Sequence, residues 1–258
     1  MIIISPAKKL NFLDNKIKYN LTMPAFRMKA EKIVSKLKKL KPYDVKNLMG
    51  ISDNLSKLNY QRFQSFSSDI NVQNSRPAIF AFAGDTYSGL SSENFNDEEI
   101  MYAQKNLRIL SGLYGVLRPL DQIQPYRLEM GTKTNEMLGE SLYDFWTKDI
   151  TKNINEGIIQ TKSKYLFNLS SSEYFKSINC ANLNCKVVTP FFYVKKNGKL
   201  KPSGMFSKKC RGSMAKMIIQ KRITEIEQLF EFNDYGYVFE SHDLKDNRLI
   251  FIKNNEDK

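Results

Sequence analysis

Residues 107–132, LRILSGLYGVLRPLDQIQPYRLEMGT, restrict the fold most, because turn-forming residues recur too closely for one long helix or strand. Glycine permits tight turns and proline stiffens loops. The side chains of this stretch that suit a ligand are Tyr114, Tyr126, Arg108, Arg118 and Arg127. Arginine forms paired hydrogen bonds with phosphate or carboxylate, and tyrosine offers a stacking face. The stretch therefore predicts a cradle for an anionic ligand. The alternative is an irregular connector whose arginines cap carbonyls or pair with Asp121 and Glu129.

The charge distribution indicates a polyanionic partner. The 258-residue chain has 40 Lys and Arg against 27 Asp and Glu, a formal net charge of +13. Residues 27–62 contain ten Lys or Arg and three acids, and residues 195–222 contain ten and no acid. Segregated charge creates a field that concentrates polyanions on one face. A lysine-rich solvated surface is the alternative interpretation of the same pattern.

Few residues are available for disulfide, metal or histidine chemistry. Cys180, Cys185 and Cys210 form no C-x-x-C pair, which argues against a disulfide framework or a structural zinc site. His242 is the single histidine, so most catalytic triads are hard to build. No apolar run approaches the roughly 20 residues of a membrane span, and the start MIIISPAKKL does not match a signal peptide. We therefore expect a cytoplasmic protein with no cofactor, no bound metal and no membrane contact.

Hydrophobic periodicity predicts a mixed α+β fold that forms one compact domain over residues 1–258. The predicted strands are 2–4, 76–82, 165–169, 186–193, 200–206, 235–240 and 248–253. The predicted helices are 27–40, 96–110, 141–150 and a last one that follows a cap at Ser207 and runs to residue 223. Asn197-Gly198 indicates a hairpin turn, and Trp146 is expected to pack into the core.

Residues 42–63 have the outline of a helix-hairpin-helix, which we predict as an appended subdomain. In that motif, backbone N–H groups at a helix N-terminus bind a phosphate without reading sequence. Gly50, Ile51 and Ser52 form the predicted turn, and Lys57 and Arg62 supply positive charge. Ser52 replaces the second glycine of the motif and is also an ordinary N-cap. A simple helical hairpin is therefore the alternative.

Two strand ends carry candidate ligand-binding residues. Lys8 closely follows the first predicted strand, and strand ends in mixed sheets are common ligand positions. Asp85 and Tyr87 follow another predicted strand and lie between two glycines. Asp85 in such a position is a candidate base, anion partner or metal ligand. A plain Gly-Asp turn explains the same residues.

The last predicted helix carries cations where they are electrostatically unfavourable. Lys208, Lys209 and Arg211 fall in the first turn after the predicted cap, and cations there oppose the helix dipole. An anion bound at this N-terminus would explain them. The alternative is an accident of surface composition.

Six segments occur in order across nearly the whole chain: SPAKKLNF, FAFAGDTYSGL, LSGLYGVLRPLDQIQPYRLEMGTK, LYDFW, NLSSSEYFKSI and RGSMAKMIIQKR. Together they resemble the family of the bacterial peroxide stress resistance protein YaaA. The resemblance implies survival of hydrogen peroxide stress through limiting unincorporated iron and the DNA damage that iron drives. It also implies an unusual mixed fold with a positively charged cleft, a helix-hairpin-helix and DNA binding.

These observations predict a cytoplasmic DNA-binding protein of the response to hydrogen peroxide, which contacts the phosphate backbone without sequence specificity. The predicted DNA-contacting residues are Gly50, Ile51, Ser52, Lys57, Arg62, Lys208, Lys209 and Arg211. The alternative is an enzyme or small-ligand protein that acts on a nucleotide-like or phosphorylated substrate. Its pocket would be formed by Lys8, Asp85, Tyr87, Tyr114, Arg118 and Arg127. The residues identify no reaction.

Overall fold

The first strand of the chain lies near the centre of a mixed β-sheet. The computed structural model describes residues 1–13 and 18–254. Its strands are β1 (Ile2–Ile4), β2 (Lys9–Leu10), β3 (Arg76–Pro77), β4 (Phe82–Ala83), β5 (Leu107–Ser111), β6 (Gly115–Leu117), β7 (Gln122–Ile123), β8 (Tyr165–Leu169), β9 (Lys186–Lys196), β10 (Lys199–Pro202), β11 (Val238–Asp243) and β12 (Arg248–Asn254). Its helices are α1 (Arg27–Leu37), α2 (Pro42–Met49), α3 (Asp53–Gln64), α4 (Ala78–Ala81), α5 (Asp85–Leu90), α6 (Asp97–Asn106), α7 (Asn135–Leu138), α8 (Leu142–Thr161), α9 (Ser172–Phe175) and α10 (Gly204–Lys221).

The main sheet places parallel strands in its middle and antiparallel strands at its edges, which confirms the predicted α+β class. Its order in the described part of the chain is β11-β12-β9-β8-β1-β5-β6, with β10 paired to β9. β1 is parallel to both β5 and β8, whereas β6 and β11 run antiparallel to their neighbours. From β1 the chain first adds β5 on one side and then crosses to β8 on the other. The carboxyl ends of β1 and β8 therefore flank a topological switch point, where open α/β sheets bind ligands.

β1 is covered on both faces of the sheet. Ile2, Ile3 and Ile4 are each at most 1% exposed. A strand that is covered on both faces has a continuous apolar sequence, as this one does. Burying each of these side chains contributes about 1.5–3 kcal/mol. The strand predicted from these residues is confirmed, and its burial holds the residues that follow it at a fixed place on the sheet edge.

The backbone at Gly112 and Gly115 contacts a buried tryptophan on α8. Trp146 is fully buried, and its Nε1 donates a hydrogen bond to the Gly112 carbonyl at 2.9 Å. A Cβ on Gly115 would lie 2.7 Å from the Trp146 ring, and the φ of 70° at this residue also favours glycine. The expected core position of Trp146 is confirmed. Gly115 lets the backbone approach the indole ring, whereas the missing side chain of Gly112 makes room for the Leu128 carbonyl, 2.3 Å from a Cβ built there.

α5 and α10 cross in backbone contact. A Cβ on Gly212 would lie 1.8 Å from the Thr86 carbonyl oxygen, and a Cβ on Gly89 would lie 2.2 Å from the Lys209 carbonyl oxygen. Both obstacles are main-chain atoms, which cannot move aside as a flexible side chain can. The two glycines therefore determine how closely α10 approaches the residues that follow β4.

Two predicted elements were wrong because tertiary pairing overrides local propensity. The predicted helix 96–110 ends at Asn106, and the next five residues form β5, which is buried beside β1. The predicted strand 76–82 is interrupted by the helical turn Ala78–Ala81. This turn separates β3, which pairs with β7, from β4, which pairs with β2.

The helix predicted over 141–150 runs on to Thr161, and the strand predicted over 200–206 ends at Pro202, before α10 begins at Gly204. Other boundaries differ by a few residues. α1 ends at Leu37 instead of residue 40, and β11 begins at Val238 instead of residue 235. The predicted hairpin is confirmed, with Asn197 and Gly198 both at positive φ between β9 and β10, as the twist of a two-residue hairpin requires. Among the described helices, none combines the length and the apolar character needed to cross a bilayer.

Candidate functional site

A cavity of about 430 Å³ opens at the topological switch point. The serines that follow β1 and β8 meet there: the Ser171 N–H donates to Ser5 Oγ at 2.8 Å, and the two hydroxyl oxygens are 3.3 Å apart. The charged side chains of its lining are Lys8, Lys9, Arg127, Lys208, Arg211, Asp85, Glu129 and Glu173. Five cations against three carboxylates give this lining a positive balance. We call this cavity the sheet-edge cleft.

Glu129 connects two of the cleft cations. Its Oε2 lies 2.6 Å from Lys8 Nζ, and its Oε1 accepts a hydrogen bond from Arg127 at 3.1 Å. Arg127 Nε is buried and has no hydrogen-bond partner in the part of the chain that the structure describes. An unpaired buried donor is costly. Arg127 is therefore held in place by Glu129 while one of its donors remains unused.

Arg211 ties α10 to the end of β8. Its guanidinium donates to the Ser170 carbonyl at 2.9 Å and to the Ser207 carbonyl at 3.2 Å. Burial lowers the pKa of Arg211, but arginine remains charged in proteins. The side chain consequently brings a fixed positive charge to the cleft wall. Lys208, one helical turn earlier, lines the cleft with an exposed side chain.

Asp85 and Tyr87 take different places in α5. Asp85 is the first residue of the helix and lines the cleft with a partly exposed side chain. Tyr87 is buried, and its hydroxyl donates to the Ser5 carbonyl at 3.1 Å. Burial also raises the pKa of Tyr87. Tyr87 therefore holds the end of β1, and Asp85 is the residue of the two that a ligand in the cleft can contact.

The structure does not bring Tyr114 and Arg118 to the sheet-edge cleft. Tyr114 is fully buried, and its hydroxyl accepts a hydrogen bond from the Gln124 N–H at 3.1 Å. Arg118 forms an ion pair with the buried carboxylate of Asp121 at 3.0 Å. The predicted single cradle therefore divides, and of its predicted cations Arg127 reaches the cleft.

The predicted hairpin region consists of α2 and α3, which we call the helical pair. Gly50 ends α2 in the left-handed conformation, with φ 59°. Ser52 caps α3 by accepting a hydrogen bond from the Leu55 N–H at 3.4 Å, and Ile51 is 8% exposed. Asp53 begins α3 and pairs with Lys46 at 2.9 Å. An exposed carboxylate thus stands where a phosphate would approach, and DNA binding by the helical pair stays a prediction.

The cations of α3 are not equivalent. Lys57 is exposed, whereas Arg62 is half-buried and donates a hydrogen bond to Asn59 Oδ1 at 3.2 Å. Burial lowers the pKa of Arg62, and the nearby charge of Arg127 lowers it further. Arg62 lies in the last turn of α3, away from the turn at Gly50 and near enough to Arg127 to feel its charge. It also lines a separate cavity of about 930 Å³ beside α3.

The first turn of α10 differs from the prediction. The helix begins at Gly204, and the Ser207 N–H already donates to the Ser203 carbonyl. Lys208, Lys209 and Arg211 therefore lie beyond the first turn, and the prediction that they surround its free N–H groups was wrong. The prediction failed because the local sequence of residues 200–206 favours a strand, which placed the start of the helix too late. Residues three apart share a helix face, so Lys208 and Arg211 still line the cleft together.

Sequence reasoning missed Ser5, Ser171 and Glu173 as cleft residues. Glu173 accepts a hydrogen bond from the Gly131 N–H at 3.0 Å and so closes one side of the cleft. The available signal was position, because Ser5 and Ser171 each follow closely on a buried parallel strand, where ligands bind in open sheets. A helix cap was the competing explanation for residues 170–173.

Within residues 1–13 and 18–254, no three His, Cys, Asp or Glu side chains come together as a metal site. The cleft is instead suited to anions, through its lysines, arginines and serine hydroxyls. A comparison with protein families identifies the same family that the six ordered sequence motifs resemble. The family model described as peroxide stress protein YaaA matches residues 1–243 of the chain.

Proposed function

Because the chain belongs to the peroxide stress protein YaaA family, its role lies in the response to peroxide stress, and we propose that it acts there as a cytoplasmic DNA-binding protein. The protein binds the phosphate backbone without sequence specificity. Bound in this way, it protects DNA from oxidative damage, and it also limits free intracellular iron. The sheet-edge cleft supplies the principal contact, and the helical pair adds a second one.

The observation that carries this proposal is a pair of uncompensated cations at the cleft. Lys9 and Lys208 are exposed, and neither side chain makes an ion pair or hydrogen bond with another described residue. They stand beside Arg211, whose charge is fixed by its carbonyl contacts. Phosphate contacts from Lys and Arg provide most of the affinity in non-specific DNA binding. The overall charge of +13 adds long-range attraction.

The test is fluorescence anisotropy of a labelled duplex across a salt series. Each phosphate neutralised contributes about 0.9 to the slope of log affinity against log salt. Replacing Lys9 and Lys208 with Gln should therefore lower the slope by about two. The matched control is Lys148→Gln with Lys162→Gln, which removes two exposed lysines from α8 and its C-cap, away from the cleft lining. An equal change in both variants, or binding that does not respond to salt, would contradict the proposal.

A second candidate function is binding of a small anionic ligand in the same cleft. It is favoured by the position of the cavity at the switch point between β1 and β8. Its volume of about 430 Å³ lies in the range of small-molecule sites. Arg127→Ala should abolish such binding, while Arg118→Ala, which removes an arginine away from the cleft, should leave it unchanged. Equal losses in both variants would exclude the cleft as the ligand site.

A further inference from the structure

A second cavity adjoins the sheet-edge cleft, and five aromatic rings line it. Its two cations among the described residues are engaged elsewhere, since Lys18 pairs with Asp97 and Arg76 donates to the Leu13 carbonyl. The cavity has a volume of about 550 Å³ and shares Ala83 and Gly84 with the cleft. The rings that line it are Tyr19, Phe80, Phe82, Tyr87 and Phe95. Tyr19 and Phe80 lie nearly parallel, with an interplanar angle of 18°. We call it the aromatic cavity.

The boundary between the two cavities is formed by small residues. Gly84 has a φ of 139°, a conformation that favours glycine, and a Cβ there would lie 3.6 Å from Ala7 Cβ. Ala83 is paired with Lys9 across β2 and β4. Lys9 therefore stands beside the boundary with its exposed ammonium group. A ligand that spans both cavities would pass bare backbone and methyl groups, with a cation next to it.

The two cavities differ in the chemistry that they offer. Aromatic side chains bind nucleobases by stacking, and this does not require sequence readout. Ser88 and Glu93 add an exposed hydroxyl and an exposed carboxylate to the aromatic cavity, where they can meet the polar edge of a base. Lys208 and Arg211 in the cleft suit a phosphate. A planar aromatic group joined to a phosphate matches this division.

We propose that the sheet-edge cleft and the aromatic cavity together bind a single nucleotide, with its base against Phe80 and Tyr19 and its phosphate at Lys9 and Lys208. This deepens the small-ligand function proposed above and rests on it. The combined space suits a ligand of nucleotide size. The nucleotide is either free or extruded from a DNA strand, since enzymes that act on a base take it out of the stack.

The first experiment is calorimetric titration with three probes: deoxyadenosine monophosphate, deoxyadenosine and deoxyribose 5-phosphate. The monophosphate should bind at least tenfold more tightly than either part, because it alone occupies both cavities. Phe80→Leu keeps an apolar side chain but removes a stacking face, and should weaken monophosphate binding at least about fivefold. Phe191→Leu makes the same change on β9, outside both cavities, and should have no effect.

A surface variant keeps the test independent of folding. Lys208→Gln alters an exposed side chain and should weaken the monophosphate at least about fivefold while leaving deoxyadenosine binding unchanged. Equal effects of Lys208→Gln on both probes would overturn the assignment of the phosphate to the cleft. Thermal unfolding of Phe80→Leu and Phe191→Leu checks that the two variants remain equally folded.

The second experiment distinguishes the two sources of the nucleotide. A duplex with 2-aminopurine at one position becomes brighter when that base leaves the stack. Brightening with the wild type that is lost in Phe80→Leu would show extrusion, whereas tight monophosphate binding without brightening would show a free nucleotide. No monophosphate binding and no brightening, with salt-dependent duplex binding intact, would overturn this inference and leave the proposed DNA binding standing. Monophosphate binding without any salt-dependent duplex binding would support the nucleotide site and contradict the proposed DNA binding.

Discussion

The sheet-edge cleft and the helical pair both present cations, but the cations are positioned by different contacts. In the cleft, Lys9, Arg127 and Lys208 come from three distant segments and meet where β1 and β8 end. In the helical pair, Lys57 and Arg62 belong to α3 alone, and Arg62 is held by Asn59 of the same helix. The cleft thus depends on tertiary packing, whereas the helical pair depends on local hydrogen bonds. A change in packing should affect the first and spare the second.

Gly212→Ala should separate the two regions most clearly. The new methyl group would lie 1.8 Å from the Thr86 carbonyl oxygen, so α5 and α10 must move apart. Overpacking of this kind costs about 1–3 kcal/mol of unfolding free energy. Displacement of Lys208 and Arg211 should also reduce duplex affinity more than tenfold. Thermal unfolding and anisotropy measure the two effects.

The matched control is Gly204→Ala in the same helix. Nothing lies within 4 Å of a Cβ built on Gly204, so this variant should retain both stability and affinity. If Gly212→Ala behaved like Gly204→Ala, the contact between α5 and α10 would not determine the cleft. The dependence of the cleft on tertiary packing would then be wrong.

Removing charge from each region gives a smaller and more graded effect. Lys9→Gln with Lys208→Gln should lower the salt slope of duplex binding by about two. Lys57→Gln with Arg62→Gln removes the same charge but should lower it by about one, because Arg62 is half-buried and bound to Asn59. A larger loss in the α3 variant would reverse the comparison and make the helical pair the principal DNA contact.

Elements with a distinct local sequence pattern could be predicted, even where tertiary pairing stabilises them, as it does β1. The run Ile2–Ile4, the hairpin turn at Asn197 and the helix around Trp146 each carry a pattern that neighbouring residues reinforce. β5 could not be predicted, because residues 107–110 continue the apolar pattern of α6 and become a strand by pairing with β1. Contacts of this kind join residues far apart in sequence, so a local window does not contain them.

The sequence predicted the kinds of residue that form the candidate site better than it predicted which particular residues form it. Lys8, Asp85 and Arg127 were expected in one pocket, and the structure brings them together. Tyr114 and Arg118 were expected in the same pocket, but Tyr114 is buried and Arg118 is paired with Asp121 away from the cleft. The sequence offered Asp121 and Glu129 as partners, and both ion pairs form, Arg118 with Asp121 and Arg127 with Glu129. Local sequence could not show which of the two pairs would lie at the sheet edge, because that depends on the path of the chain after β6.

The smallest expected effects come from two carboxylates that compete with an anion for cations. Glu129→Gln removes the charge that holds Lys8 and Arg127, while the Gln carbonyl can still accept a hydrogen bond from Arg127. Duplex affinity should rise on the order of threefold at low ionic strength, as expected for a partly exposed ion pair. The gain should fade above about 0.15 M salt, where the Debye length falls below about 8 Å.

Asp53→Asn makes the equivalent change at the helical pair, where it frees Lys46 and leaves the Ser52 cap of α3 in place. If the cleft is the principal contact, this variant should gain less than about twofold, because an exposed pair in high dielectric contributes little. Anisotropy with the same duplex compares the two variants directly. A larger gain for Asp53→Asn than for Glu129→Gln would show that phosphates approach the N-terminus of α3 first. The cleft would then be left to a small ligand, and the two proposed functions would belong to two different surfaces.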